Sequence, residues 1–351
     1  MVFHLGVLRF LAEKELLERV SRISTVSGGS LLVGLMLHKN GLRWPSSKIF
    51  LDSVFPTLRQ QLCERSLQWG AARQLVNPIN LRFIFSRANL LALALKNEWG
   101  IVAKLSDMHT FPDWSINGTT AETGKRFRFK QTDMGDYTLG YASVDNFPLA
   151  SALAVSAAFP GGFGPLQVDT TRHQWAKRPS WGAPKDSEIA TDVAHTALHL
   201  YDGGVYDNLG LEPFFDAGRS KSKHPDTLII ASDAGAPLGT GFSHVALNPW
   251  RFKRVVDIIS DQSRALRVRA FTNYLQQKNG GGALIYIGSP VVDTARRASA
   301  EFAMTFPTTL RRLTTDEFDA LADHGYQVAW DVEREYGLTT SAQRPHQALS
   351  N

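Results

Sequence analysis

From residue 5 to residue 19 the apolar positions Leu5, Leu8, Leu11, Leu16 and Leu17 recur at helical spacing, while Glu13, Lys14, Glu15, Glu18 and Arg19 fall on the opposite face. A helix is therefore predicted almost from residue 1. Residues 23–26 form a short apolar run, followed by Ser27-Gly28-Gly29 and an apolar stretch to about His38, which predicts a strand, a tight turn and a helix. Residues 48–107 carry mainly helical spacing, clearest over 47–59 and 88–96, with breaks at Pro56 and Asn77-Pro78. Beyond Pro112 the period changes to two, and residues 114–118 and 125–130 predict strands. A buried helix is predicted over 149–159, stopped by residues 160–165, and a polar surface loop over 167–190. Strands at 197–201, 227–231 and 283–287 alternate with helices at 252–277 and 316–330. The chain thus reads as an α/β layered fold without internal repeats, with a frayed tail at 339–351.

Composition narrows the class. With 43% hydrophobic and 20% charged residues, 351 residues can bury a sizeable core, which excludes a disordered chain. The single cysteine, Cys63, excludes an intrachain disulfide and a cysteine-rich metal centre, and is expected to be a small buried hydrophobe. The net charge of +5 favours residence near anionic surfaces. Its cations at 251–254 and 264–269 are expected on solvated helix faces, and no nucleic-acid module accompanies them, so no nucleic-acid partner is expected. No uncharged apolar run approaches the roughly 20 residues of a membrane span. The first residues, with charges inside an apolar repeat, do not form a cleavable leader, so a cytoplasmic location is expected, compatible with peripheral attachment to a membrane.

Two strings could carry chemistry. Ser27 stands where a strand turns into a helix, and Gly28 and Gly29 permit close approach of the backbone. That placement suits an exposed nucleophile with the Gly28 amide as an oxyanion donor, and equally a helix N-cap by Ser27 or Ser30. Thr25 departs from the Gly-x-Ser-x-Gly elbow and could crowd it. Asp202 ends an apolar strand ahead of Gly203 and Gly204, where it could act as a general base or close an Asx-turn. Asp207 has the same two readings, with a structural turn favoured. His195, His199 and His324 are the nearest sources of a third triad member, but packing roles are expected for them, and no compact histidine pattern points to zinc.

The two strings, in this order, resemble the patatin-like phospholipase family. Ser27-Gly-Gly-Ser30 is similar to its nucleophile elbow, in the form shared with the related cytosolic phospholipase A2 group. Asp202-Gly-Gly204 resembles its aspartate motif, Ser156-Ala-Ala-Phe-Pro160 its small-residue segment, and Phe3-His-Leu-Gly-Val-Leu-Arg9 the start of its first helix. The resemblance covers residues 1 to about 330. It implies a three-layer α/β/α fold, one domain over 1–338 with a helical insertion near 48–107. It further implies a Ser-Asp dyad of Ser27 and Asp202, with Gly28 as oxyanion amide and with Gly29, Gly203 and Gly204 supporting the turns. No histidine, metal or organic cofactor is implied, and the substrate is a lipid or other acyl ester. Residues 31–37, 83–95 and 159–163 are expected to line or cover an acyl pocket, or to sit in the core. The family's first strand and glycine-rich loop are expected to be lacking, and activity correspondingly weak. A regulatory lipid-associated homologue without turnover and an acyltransferase stay open as alternatives.

Overall fold

The computed structural model describes residues 1–159, 164–180, 183–184, 187–224, 227–242, 250–277, 280–291 and 293–338. Residues 160–163 of the expected turn at 160–165, and the tail at 339–351, lie outside them. The chain opens with α1 (Val2–Glu13), β1 (Arg22–Thr25) and α2 (Gly28–Lys39). The expected helical segment follows. It consists of α3 (Ser47–Ile49), which continues through a π-helical stretch, Phe50–Val54, into α4 (Phe55–Glu64), then α5 (Leu67–Gln74), a 3-10 turn at Pro78–Phe83 and α6 (Arg87–Trp99). Pro56 does not end the helix: it stands just beyond the π-helical stretch, whose wider turn accommodates a residue that has no N–H to donate.

Next come β2 (Asp113–Thr120), β3 (Arg126–Phe129), β4 (Asp133–Asp136), β5 (Gly140–Ser143) and α7 (Leu149–Ser156). The segment read as a surface loop instead contributes three short strands, β6 (Leu166–Asp169), β7 (Trp175–Lys177) and β8 (Ile189–Ala190). Their polar residues alternate with buried Leu166, Val168 and Trp175, a pattern too short to register as periodic. Then follow β9 (Ala197–Asp202), the one-turn α8 (Gly204–Asp207), β10 (Phe215–Asp216), β11 (Lys221–Ser222) and β12 (Ile229–Asp233). The long α9 (Trp250–Leu275), β13 (Gly282–Tyr286), α10 (Arg297–Thr305) and α11 (Thr315–Tyr336) close the described chain.

Among the described residues, nine strands form one curled, mixed sheet in the order β6-β9-β2-β3-β4-β5-β7-β8, with β1 added parallel to β2. β12 and β13 form a separate parallel pair, and β10 and β11 a small hairpin. Helices flank the sheet, giving the expected α/β/α arrangement. α1 and α11 cross at backbone contact: a Cβ on Gly6 would lie 1.8 Å from the Ala322 carbonyl oxygen, and one on Gly325 would lie 2.0 Å from that of Phe3. Only glycine fits at that crossing. The capping box of Thr314 and Glu317 fixes the start of α11.

Candidate active site

The two expected site residues are brought together by strand register. β1 runs parallel to β2 and sets Thr25 opposite Ile116, whereas β9 runs antiparallel and sets Asp202 opposite Gly118. Both strands therefore end against the same edge of β2, pointing at each other across Asn117. Ser27 follows one end and Asp202 closes the other. The Asn117 amide nitrogen donates to the Thr25 carbonyl at 2.8 Å and to Ser24 Oγ at 2.9 Å. Its side-chain oxygen accepts from Arg126 Nε at 2.7 Å, and Arg126 also donates to Ser115 Oγ. Burial draws the Arg126 pKa down to about 10.

Ser27 has φ of 50° and ψ of −123°, a conformation that non-glycine residues rarely adopt. Its side chain caps no amide of α2, so the N-cap alternative is not what the local geometry uses. Ser30 is no cap either, since its hydroxyl donates to Thr25 Oγ1 at 2.8 Å. Because that proton is committed, the 2.8 Å contact between Ser30 and Ser156 must be donated by Ser156. Ser156 Oγ in turn accepts the Ser27 N–H at 3.2 Å, which it shares with the Ser156 carbonyl at 3.0 Å. Trp114 Nε1 completes the network by donating to Thr25 Oγ1 at 2.9 Å. Thr25 thus does not crowd the elbow. Its hydroxyl terminates a directed chain of buried hydrogen bonds whose members polarise one another and hold the strained turn.

The Gly28 N–H, first in α2, has no acceptor among the described residues. It points from the positive end of a 12-residue helix. A Cβ at Gly29 would stand 3.9 Å from that of Thr25, ordinary contact, so space does not demand glycine there. At Gly203 it would lie 2.6 Å from the Asn117 carbonyl oxygen, which no side chain tolerates. At Gly204 it would lie 2.8 Å from Asn208 Oδ1.

Asp202 is 1% exposed. Its backbone N–H donates to the Ala158 carbonyl at 3.1 Å and its carbonyl accepts from Thr119 Oγ1 at 2.8 Å. Gly204 N–H donates to Oδ1 at 2.7 Å, so the Asx-turn also exists. Burial raises the carboxyl to about 7, against the lowering effect of the Gly204 amide and of hydrogen bonding with the Ser27 side chain. The segment from Ser156 to Ala158 consequently holds both residues, gripping Ser27 through Ser156 and Asp202 through Ala158.

Ser27, Gly28 and Asp202 open on a cavity of about 2080 Å³, bounded on one side by β1 and on another by β12. Leu31, Leu32 and Val33 line it, as do Phe159 and Arg87, while Leu91, Ala94 and Leu95 are buried in the main core. His195, His199 and His324 are not among its lining residues. His199 pairs with Glu122 at 2.6 Å on the outer face of β9, and His324 meets the Ile287 carbonyl at 2.8 Å. His4, which sequence reasoning passed over, does line the cavity. Its Nδ1 contacts Ser232 Oγ at 2.7 Å, and burial lowers its pKa to about 3.

Asp207 serves the structure, accepting from the N–H groups of Leu209 and Glu212 beside Arg267. The expected solvated face of α9 is only partly so: the Arg264 side chain, 12% exposed, meets buried Asp233 at 2.5 Å. That ion pair locks α9 onto the end of β12, a contact that helical periodicity does not encode. Cys63 is half-buried and unpaired with any other cysteine.

Residues 1–215 match the patatin-like phospholipase family, a stretch that includes Ser27, Ser156 and Asp202. The chain belongs to that family. Members of this family generally hydrolyse acyl lipids through a Ser-Asp dyad, the two residue types that meet here across Asn117. No curated protein matches the chain. Among the described residues, no helix is long and apolar enough to cross a membrane, and no cluster of three or more His, Cys, Asp or Glu is placed to hold a metal ion.

Proposed function

We propose that this patatin-like chain is a serine acyl hydrolase that releases fatty acid from a lipid ester. The observation that carries the reading is the pairing of Ser27, in an uncapped and strained elbow, with a buried carboxyl whose pKa lies at about 7. A carboxyl at that value is half ionised near neutrality and suits a general base far better than an ordinary aspartate.

In the proposed reaction Ser27 Oγ attacks the ester carbonyl while Asp202 accepts the hydroxyl proton. The carbonyl oxygen becomes an oxyanion facing the Gly28 N–H and the N-terminus of α2. Collapse breaks the ester bond, Asp202 returns the proton to the leaving alkoxide, and an acyl-Ser27 remains. Water, deprotonated by the same carboxylate, attacks the acyl carbon and frees the fatty acid and Ser27. A cavity lined by Leu31, Leu32 and Phe159 supports an apolar acyl chain as the substrate's bulk.

The test uses the full chain, its Ser27→Ala and Asp202→Asn variants, and esters of graded acyl length beside neutral lipids and phospholipids. A fluorophosphonate should label wild-type Ser27, located by mass spectrometry, and turnover should fall at least a thousandfold in both variants. Absence of label in folded wild type, with turnover equal to that of both variants, refutes the reading. Lipid binding without turnover would instead identify a regulatory homologue.

A further inference from the structure

The segment joining α4 to α6 exposes more apolar side chain than its packing requires. Leu67 and Gly70 face inward, and a Cβ at Gly70 would strike the Glu98 side chain, so this side of α5 lies against α6. On the outer side Trp69 is 66% exposed, Val76 84%, Ile79 68% and Phe85 90%, with Leu81 and Ile84 about half exposed. These six side chains fall within 17 consecutive residues, 69–85. Exposed apolar residues scattered singly are ordinary, but six within so short a segment point to a surface with a partner.

Charge selects the partner. Residues 65–97 contain Arg65, Arg73, Arg82, Arg87 and Lys96 and not one Asp or Glu. Arg73 reaches only to Glu98, at 3.4 Å, and stays 72% exposed, while Arg82 lies over the Phe83 ring at 4.6 Å. Bulky apolar and aromatic side chains interleaved with cations, without acids, are the chemistry of an anionic bilayer surface, where rings enter the acyl boundary and guanidinium groups meet lipid phosphates.

The patch is continuous with the site. Ser86, next to Phe85, donates to the Pro165 carbonyl at 2.5 Å, and the Phe85 carbonyl lies so close to Gly164 that a Cβ there would be 2.1 Å away. Arg87, two residues on from Phe85, lines the Ser27 cavity. A bilayer held on the patch therefore meets the rim of that cavity.

We infer that residues 69–85 form the docking surface by which this protein sits on an anionic phospholipid bilayer, with Trp69, Val76, Ile79 and Phe85 entering the interface and Arg73 and Arg82 binding phosphates. This deepens the hydrolase reading and rests on it for its purpose, but binding is measured separately from turnover.

The full chain and its Ser27→Ala form are floated with vesicles of phosphatidylcholine alone and with one quarter phosphatidylglycerol. Both proteins should bind the anionic vesicles and release in high salt. Trp69→Ser with Phe85→Ser should lower partitioning on the order of a hundredfold, and Arg73→Gln with Arg82→Gln on the order of tenfold. Thermal melts confirm that the exposed substitutions leave the fold intact, and hydrolysis of a soluble short-chain ester should be unchanged in them. Equal partitioning of wild type and variants, or no binding by wild type, overturns the inference. So does a concentration-dependent dimer abolished by the Phe85 substitution, which would show that a second copy covers the patch. If binding behaves as expected but no ester is cleaved, the hydrolase reading fails and the docking surface stands.

Discussion

Replacing Asp202 by asparagine should stabilise the protein at alkaline pH while removing its activity, and the size of the effect follows from burial. The carboxyl titrates at about 7 in the fold against 3.8 when unfolded. Below pH 3.8 both states hold the proton and the residue costs nothing. As pH rises from there toward 7 the unfolded state releases its proton first, so stability is lost across that window and stays low above it. At about 1.4 kcal/mol per unit, the loss is on the order of 4 kcal/mol. Asparagine keeps the shape, still accepts the Gly204 N–H, and can donate to Ser27 Oγ, yet never ionises. Denaturation in urea at pH 5 and pH 8 checks this. The variant should gain on wild type by on the order of 3 kcal/mol between the two conditions. Over the same range kcat/KM of wild type should rise through about pH 7, because in the proposed reaction Asp202 must be ionised to accept the Ser27 proton. A stability gap equal at both pH values, or a wild type more stable than the variant at pH 8, would refute the assignment of a buried, unpaired carboxyl.

Thr25→Val keeps volume but removes the oxygen that accepts from Trp114 Nε1 and Ser30 Oγ, leaving buried donors unpartnered, and should cost about 2–3 kcal/mol; an unchanged melting temperature would show that this network does not hold the elbow. Gly203→Ala places a methyl 2.6 Å from the Asn117 carbonyl oxygen and should displace Asp202, lowering kcat at least tenfold. Gly29→Ala, with 3.9 Å of clearance, should instead stabilise α2 by up to about 1 kcal/mol; equal responses of the two variants in thermal melts would contradict the packing described around the site.

Much of the fold was legible because helices and strands impose their own periods on neighbouring residues. The leucines of α1 and α2 and the alternating aromatics of β3 mark their elements directly. The two glycine-flanked strings likewise marked Ser27 and Asp202, since tight turns restrict residue choice locally. β6, β7 and β8 escaped notice because two to four residues hold too little periodic signal and are made strands by the neighbours that pair with them. Asn117 carried no signal at all: an asparagine in a strand gains its role only when β1 and β9 end on either side of it.

The sequence by itself marked the longer helices and strands, the strand-turn-helix string at Ser27, the aspartate turn and the family. Tertiary structure decided what surrounds the candidate site residues. Whether Ser27 caps a helix or presents a free hydroxyl depends on Ser156, which lies far along the chain and takes the Ser27 amide. Whether Asp202 is an ordinary carboxylate or a base near neutrality depends on what covers it, and burial is a property of packing between segments distant in sequence. The same holds for Arg264, drawn inward by Asp233, and for Phe85, turned outward despite its apolarity. Local spacing sets which hydrogen bonds a backbone repeats, whereas register, burial and field arise only once separate segments pack together.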